Sequence, residues 1–359
     1  MTKPHNDCPL FAHQNGQFAK KIKGKLHYFG TDKDKAVAAY LAKKEYLHAG
    51  IAPPTECDTI GDLLDAFMEG KQQALESGEL APRTFKEYET VCDVIAETIG
   101  KRRAIEQLTP ADFTKLRRRL STKKNGEPAS PVSVKRLLTF ARMPFYFANE
   151  ELGASIRYKK ALRTPPAKVI RAARDAIGER LFQPEEIQTI VKAAPAPLKA
   201  MILLGINCGF GPGDCQKLPI SALDLTNGWQ TFSRPKTGVK RRCPLWPSTI
   251  AALKAVIGKR TSGPVFEGCW NRHVVARAFQ AVCIGTGVYR EGVTTFYTLR
   301  RTFETVATAS EVPQAVINAI MGHAEHDIPA IYRQKVFDEQ LQKCVKHVGN
   351  WTLGRITLV

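Results

Sequence analysis

Three things are scarce in this sequence, and each scarcity excludes a class. No apolar run approaches the ~20 residues that a membrane-spanning helix needs, and the opening MTKPHNDCPL has no apolar core of the kind a signal peptide carries. A membrane partner is therefore not expected, and the chain reads as cytoplasmic. The nine cysteines are scattered without paired spacing. That excludes a disulfide scaffold and favours packed, reduced thiols. Acidic residues are the third shortage, 34 Asp plus Glu against 53 Lys plus Arg, for a formal charge of +19. A surplus of that size attracts polyanions, so DNA or RNA is the default partner and acidic lipid the runner-up. His5, Cys8 and His13 are metal-ligand types close in sequence, but a fourth ligand and a recognised spacing are lacking. Neither a metal nor a cofactor is expected.

What is present is ample for packed cores: 359 residues, 43% of them hydrophobic, a length that suggests two or three domains. Residues 17–30 place aromatic and β-branched runs on either side of Lys23-Gly24-Lys25, a hairpin signal, and Asp32 then starts a helix that ends at Gly50. Residues 1–55 read as a small basic module, with Ile51-Ala52-Pro53-Pro54 as the connection onward. Residues 58–155 read as helices without a strand: Thr59 to Glu76, Pro82 to Ile99, Thr109 to Ser121 and Ser130 to Leu152. Their first half is mostly acidic and their second half mostly basic. Arg117, Arg118, Arg119, Lys123, Lys135 and Arg136 in that second half are the residues expected to meet phosphates. Residues 156–178 are rich in Arg, Lys and Pro without a firm apolar period. They read as a basic linker, Lys159 and Lys160 included, that lies along DNA. From 179 to 359 helices alternate with one strand-like pair, Gly228 to Arg234 and Arg241 to Leu245, turning at Thr237-Gly238. The fold class expected is mainly α with small β elements, α+β.

The stretch from Thr294 to Gln334 stands apart. Two apolar-periodic segments, Leu299 to Ala309 and Pro313 to Met321, read as helices, with Gly322 as C-cap of the second. Arg300, His323 and Tyr332 lie within and after them, and His323 precedes Tyr332 by nine positions. This run resembles the catalytic half of the tyrosine recombinases (phage integrases), with Tyr297-Thr298-Leu299-Arg300 for the family's His-x-x-Arg and Met321-Gly322-His323 for its Leu-Gly-His. The resemblance implies a helical core-binding (SAM-like) domain over 58–155, a catalytic domain over 179–359, and an N-terminal module similar to the arm-DNA-binding modules of some integrases. It also implies double-stranded DNA as partner, a homo-tetramer on paired sites, and a nucleoid location if the source is bacterial.

The implied chemistry is phosphoryl transfer. A phenol with a pKa near ~10 attacks a phosphodiester, so the site must supply guanidinium forks for the non-bridging oxygens and an acid for the leaving 5′ oxygen. The resemblance assigns Tyr332 as nucleophile, Arg300 as a phosphate-clamping arginine, His323 as a hydrogen-bonding group, and Lys236 of Arg-Pro-Lys-Thr-Gly as the acid. Tyr297 stands where the family has a histidine. It can donate a hydrogen bond but carries no positive charge. Gly211, in Gly209-Phe210-Gly211-Pro212-Gly213-Asp214, stands where the family has its first arginine. Loss of such a charge costs about 10²–10³ in rate. Candidate substitutes are Arg234, which shares a strand face with Lys236, and then Arg241 and Arg242 across the hairpin. Two functions are compatible with these residues: a site-specific recombinase that works through a 3′-phosphotyrosine, or an integrase-derived DNA-binding protein that is regulatory or architectural and does not cut. A topoisomerase-like monomer is a third, made less attractive by the N-terminal and helical modules.

Overall fold

The computed structural model describes residues 8–14, 16–50, 58–324, 335–354 and 357–358. Tyr332, His5 and the Ile51 to Pro54 connection lie outside the described residues. The chain divides into two compact units, Met1–Ala173 and Arg174–Val359.

The first unit opens with an antiparallel sheet of β1 (Phe11–Ala12), β2 (Phe18–Ile22) and β3 (Lys25–Tyr28), in the order β1-β2-β3. Ile22 pairs with Lys25, so Lys23 and Gly24 make a two-residue turn, and both take positive φ, 46° and 81°. That is the backbone a tight hairpin of this hand requires. Helix α1 (Lys33–Ala49) comes next, capped by the Asp32 carboxylate on Lys35 N–H and closed by Gly50 in the left-handed region. Leu10, Ile22, Ala36 and Tyr40 form its small core.

Helices α2 (Ile60–Glu76), α3 (Pro82–Ile99), α4 (Pro110–Leu120) and α5 (Pro131–Glu150) surround a second core that includes Leu63, Phe67, Ile95, Phe113, Leu138 and Phe145. Their starts arise from chemistry visible in the sequence. The backbone N–H groups of Thr59 and Thr109 donate to the Asp62 and Asp112 carboxylates, at 3.0 and 2.8 Å, and Ser130 accepts from Ser133 N–H at 3.2 Å. The reading of 156–178 as linker meets a different local structure. Ile156, Tyr158 and Leu162 are buried in the helical core, with the Tyr158 ring 5.8 Å from that of Phe145. Irregular turns bring them there, and turns leave no apolar period to read. Helix α6 (Ala167–Asp175) comes next.

The second unit is built round α8 (Ala196–Asn207), which is buried along most of its length. A helix apolar on all sides has to be wrapped. Around it lie α7 (Pro184–Ala193), α10 (Pro247–Ile257), α11 (Arg272–Gly285) and α12 (Phe296–Thr308). Short α9 (Pro212–Gln216) leads to an antiparallel sheet of β4 (Leu223–Asp224), β5 (Trp229–Thr231) and β6 (Arg242–Pro244), and the chain closes with α13 (Gln314–Met321) and α14 (Asp338–Leu353). Asn207, at the end of α8, donates to Pro244 carbonyl at 3.0 Å and accepts Trp246 N–H at 2.9 Å. Through it the central helix fixes the strand that carries the site's arginines. The architecture is mainly helical with small sheets, as expected.

Candidate active site

The sequence spreads the site over more than a hundred positions, and the fold gathers it on the corner where α13 ends. Helix α13 stops at Gly322 with φ 65°, the left-handed cap that the Met-Gly-His run called for. Arg300, one turn into α12, points inward and is buried. One guanidinium nitrogen donates to Gly209 carbonyl; the other donates to Met321 carbonyl at 2.9 Å and lies 2.7 Å from His323 Nε2. Arginine has donors only, so His323 Nε2 is the acceptor and the ring is neutral. Its electrostatics agree. Burial first, and the Arg300 charge second, hold the His323 imidazole below its ordinary value. Burial, and then repulsion from Arg234, bring the Arg300 guanidinium down to about 10, so it remains charged at neutral pH.

The hairpin clamps the same corner from the other side. Phe232 N–H donates to Arg241 carbonyl and Arg234 N–H to Val239 carbonyl, at 3.1 and 2.8 Å, which carries the pairing of β5 and β6 past the strands proper. Arg234 Nη1 and Thr237 Oγ1 both reach Gly322 carbonyl, at 3.4 and 3.0 Å. A side chain at position 322 would have no room, since a Cβ there would stand 2.7 Å from Arg241 Cδ and 2.9 Å from Arg234 Cβ. Glycine is required twice over, by its φ and by this contact. Lys236 sits exposed between Arg234 and Thr237.

Of the three candidate substitutes for an arginine at 211, the structure disposes differently. Arg242 turns to the other face from Arg241, as neighbours on a strand do. There it grips Asp338 of α14 at 2.9 and 2.7 Å and stacks 4.0 Å from the Trp229 ring. Arg241 is fully buried. It donates to Phe232 carbonyl at 3.1 Å and to Asp214 Oδ1 at 3.3 Å, and its guanidinium lies 4.2 Å from the Phe210 ring centroid. Arg234 is half-buried at the corner.

Sequence reasoning missed one relation. The two departures from the family pattern, Gly211 and Tyr297, are a single contact: a Cβ at 211 would stand 3.0 Å from the Tyr297 ring and hydroxyl. The Tyr297 phenol fills the volume a longer residue at 211 would claim. The signal was present as paired opposite changes, one residue shrunk and one enlarged.

The expected DNA-binding residues lie in the first unit. Arg118, Arg119, Lys135, Lys159 and Lys160 are exposed. Lys123 and Arg136 form ion pairs with Glu127 and Glu87, at 2.9 and 2.5 Å. Arg117 is spent partly on structure, donating to the carbonyls of Ala161, at 3.1 Å, and Arg163. It also lines a groove of about 830 Å³ with Arg157, Lys160 and Arg163, two of which the sequence alone did not single out.

Residues 180–339 match the phage integrase family. They form a phage integrase family domain. This integrase domain contains Arg234, Lys236, Arg241, Tyr297, Arg300 and His323, with Tyr332 inside its bounds. The whole chain is similar in fold to lambda integrase, described as a dimer bound to a COC' core site, with a TM-score of 0.58 and 18% identity over 93% of this chain and 98% of that one. It is also similar to the Tn1549 transposon integrase in complex with transposon right end DNA, with a TM-score of 0.54 and 15% identity over 79% of this chain and 97% of that one. At such identities the likeness is one of fold. No curated protein matches the chain.

Proposed function

We propose that this chain is a site-specific DNA recombinase that cuts and rejoins duplex DNA through a 3′-phosphotyrosine at Tyr332. The observation that carries the reading is the convergence of Arg300, His323 and Arg234 on the Met321-Gly322-His323 corner, with Lys236 in the turn that touches it. Residues so far apart in sequence have no structural need to bring three cationic or imidazole groups together, and like charges held close oppose folding. A phosphodiester in the site answers that repulsion.

In this reading the Tyr332 phenol gives up its proton to solvent and its oxygen attacks the scissile phosphorus while Arg300 holds a non-bridging oxygen. The bond to the 5′ oxygen breaks, and Lys236 delivers the proton that oxygen needs. The phosphate bond is conserved in the enzyme, and a 5′-hydroxyl from the exchanging strand reverses the step. The basic groove of the first unit supplies sequence-independent grip, and the assembly is a tetramer on paired sites. The domains divide accordingly: an arm-binding module over 1–55, a core-binding domain over 58–155 extended by the packed residues from Ile156 to Leu162, and a catalytic domain from 179.

A second reading, DNA binding without cutting, rests on Gly211 and the tyrosine packed over it. One experiment separates the two. Nicked half-site DNA from the element that encodes the protein traps the covalent intermediate, since the cleaved end diffuses away. A recombinase leaves a protein–DNA adduct that survives denaturant and is absent from Tyr332→Phe. Tight binding without any adduct establishes the other reading.

A further inference from the structure

The lack of a side chain at residue 211 leaves a question: which group meets the second non-bridging oxygen? The structure contains a buried cation with unused capacity. Arg241 is 0% exposed. Its Nε serves Phe232 carbonyl and its Nη2 serves Asp214 Oδ1. Its Nη1 is buried with no hydrogen-bond partner among the described residues. Buried donors are almost always paired, and an orphan on a charged group is the exception that points to a missing acceptor.

The position of that donor is informative. Asp214, which takes the Arg241 fork through Oδ1, takes Gly211 N–H through Oδ2 at 2.7 Å. Asp214 therefore stations the Arg241 guanidinium next to the backbone of residue 211. The stem of Arg241 runs against Gly322, one residue from His323. Three guanidinium groups, Arg234, Arg241 and Arg300, lie within electrostatic reach of each other, and Asp214 and Glu304 are the carboxylates that act on Arg300. The surplus is positive.

We propose that Arg241 supplies, from the hairpin, the phosphate-binding guanidinium that residue 211 does not, with Nη1, buried in the free chain, uncovered when DNA binds and donating to a non-bridging oxygen of the scissile phosphodiester. Asp214 is its positioning residue. The Tyr297 phenol occupies the space above the Gly211 Cα, and its hydroxyl borders the site. This rests on the recombinase reading and adds the identity of the second clamp, where strand alternation had favoured Arg234. Arg234, held by one long bond to Gly322 carbonyl, flanks the phosphate instead.

The test uses the full chain on two nicked substrates, one with an ordinary scissile phosphodiester and one with a methylphosphonate, in which a methyl group replaces a charged non-bridging oxygen and leaves the linkage neutral. Arg241→Met, which keeps much of the volume, should lower adduct formation on the diester by about 10²–10³. It should lose far less on the methylphosphonate, because the charge it neutralised is gone. A merely structural role would lower both equally, and that result overturns the proposal. Should Arg241→Met fail to fold, Arg241→Lys decides. It keeps a cation in the core but loses the fork, so it should cut the diester slowly and the methylphosphonate nearly as wild type does. Wild-type rates for Arg241→Lys on both substrates overturn the assignment. A wild-type chain that forms no adduct on either substrate removes the recombinase reading and this inference together. A wild-type chain that cuts while Arg241→Met cuts equally well removes the inference alone.

Discussion

His323 gives the site a pH signature. Its proton is bound more weakly in the folded chain than in the unfolded one, because burial and then Arg300 disfavour the imidazolium. Protons then favour the unfolded state, so this contribution to stability is complete above pH 6.5 and is lost as pH falls below that value toward the folded pKa. Urea unfolding between pH 7.5 and 5 should show wild type losing more stability than His323→Asn. Parallel pH profiles would refute the assignment. Burial also lowers the His27 pKa, but that group titrates in both proteins and cancels in the comparison. Gly211 offers a second residue-scale expectation. Its φ of −97° suits alanine, and the neighbour that must yield is the side chain of Tyr297, which is 48% exposed and free to turn outward. Gly211→Ala should therefore cost less than about 1 kcal/mol of stability, yet slow adduct formation by displacing the phenol. Equal rates would show that the placement of Tyr297 is immaterial. Both departures are visible in the sequence, but only the fold shows that residues 211 and 297 touch. The grouping of Arg300, Gly322 and His323, by contrast, was expected from their spacing, and the fold brings them to one corner.

At the scale of elements, the packing of α8 on α12 is tight enough to test. A Cβ at Gly205 would stand 2.9 Å from Leu299 Cδ1 and 3.3 Å from Leu299 Cβ. Alanine gains about 1 kcal/mol in helix propensity over glycine, while overpacking costs about 1–3 kcal/mol. Contact with Leu299 Cβ leaves little room to yield, so Gly205→Ala should lower stability by about 1 kcal/mol in denaturant unfolding. A stabilised variant would mean that the two helices separate easily. The Arg242–Asp338 bridge between β6 and α14 has well-aligned geometry, but both side chains are more than a third exposed. Solvent screening leaves it worth less than about 1 kcal/mol, and Arg242→Ala should retain cutting activity. Helices with a capping residue ahead of an apolar period, such as α2, α4 and α5, could be read from sequence almost to their ends. Strand β1, helix α9 and the packed turn around Tyr158 could not, because two to five residues hold too little periodicity to distinguish from a loop.

At the scale of the whole molecule, the charge of +19 is the dominant fact. DNA binding should weaken steeply with salt as condensed counterions are released. Each groove cation that touches a phosphate should add about one to the slope of log K against log salt, so Arg157→Ala or Lys160→Ala should flatten it by about that amount without altering sequence preference. An unchanged slope would mean the groove faces away from DNA. Composition points to a polyanion, but composition has no address, and only the fold shows which lysines and arginines share a concavity and which pair with a neighbouring glutamate. The hairpin that joins β5 to β6 has one more bearing on the molecule as a whole. One end of it holds the backbone at Gly322, and Arg242 on its return strand holds Asp338. The stretch of chain between those two moorings includes Tyr332. Under the proposed chemistry the nucleophile therefore lies, in sequence, between two positions that the same small ribbon touches.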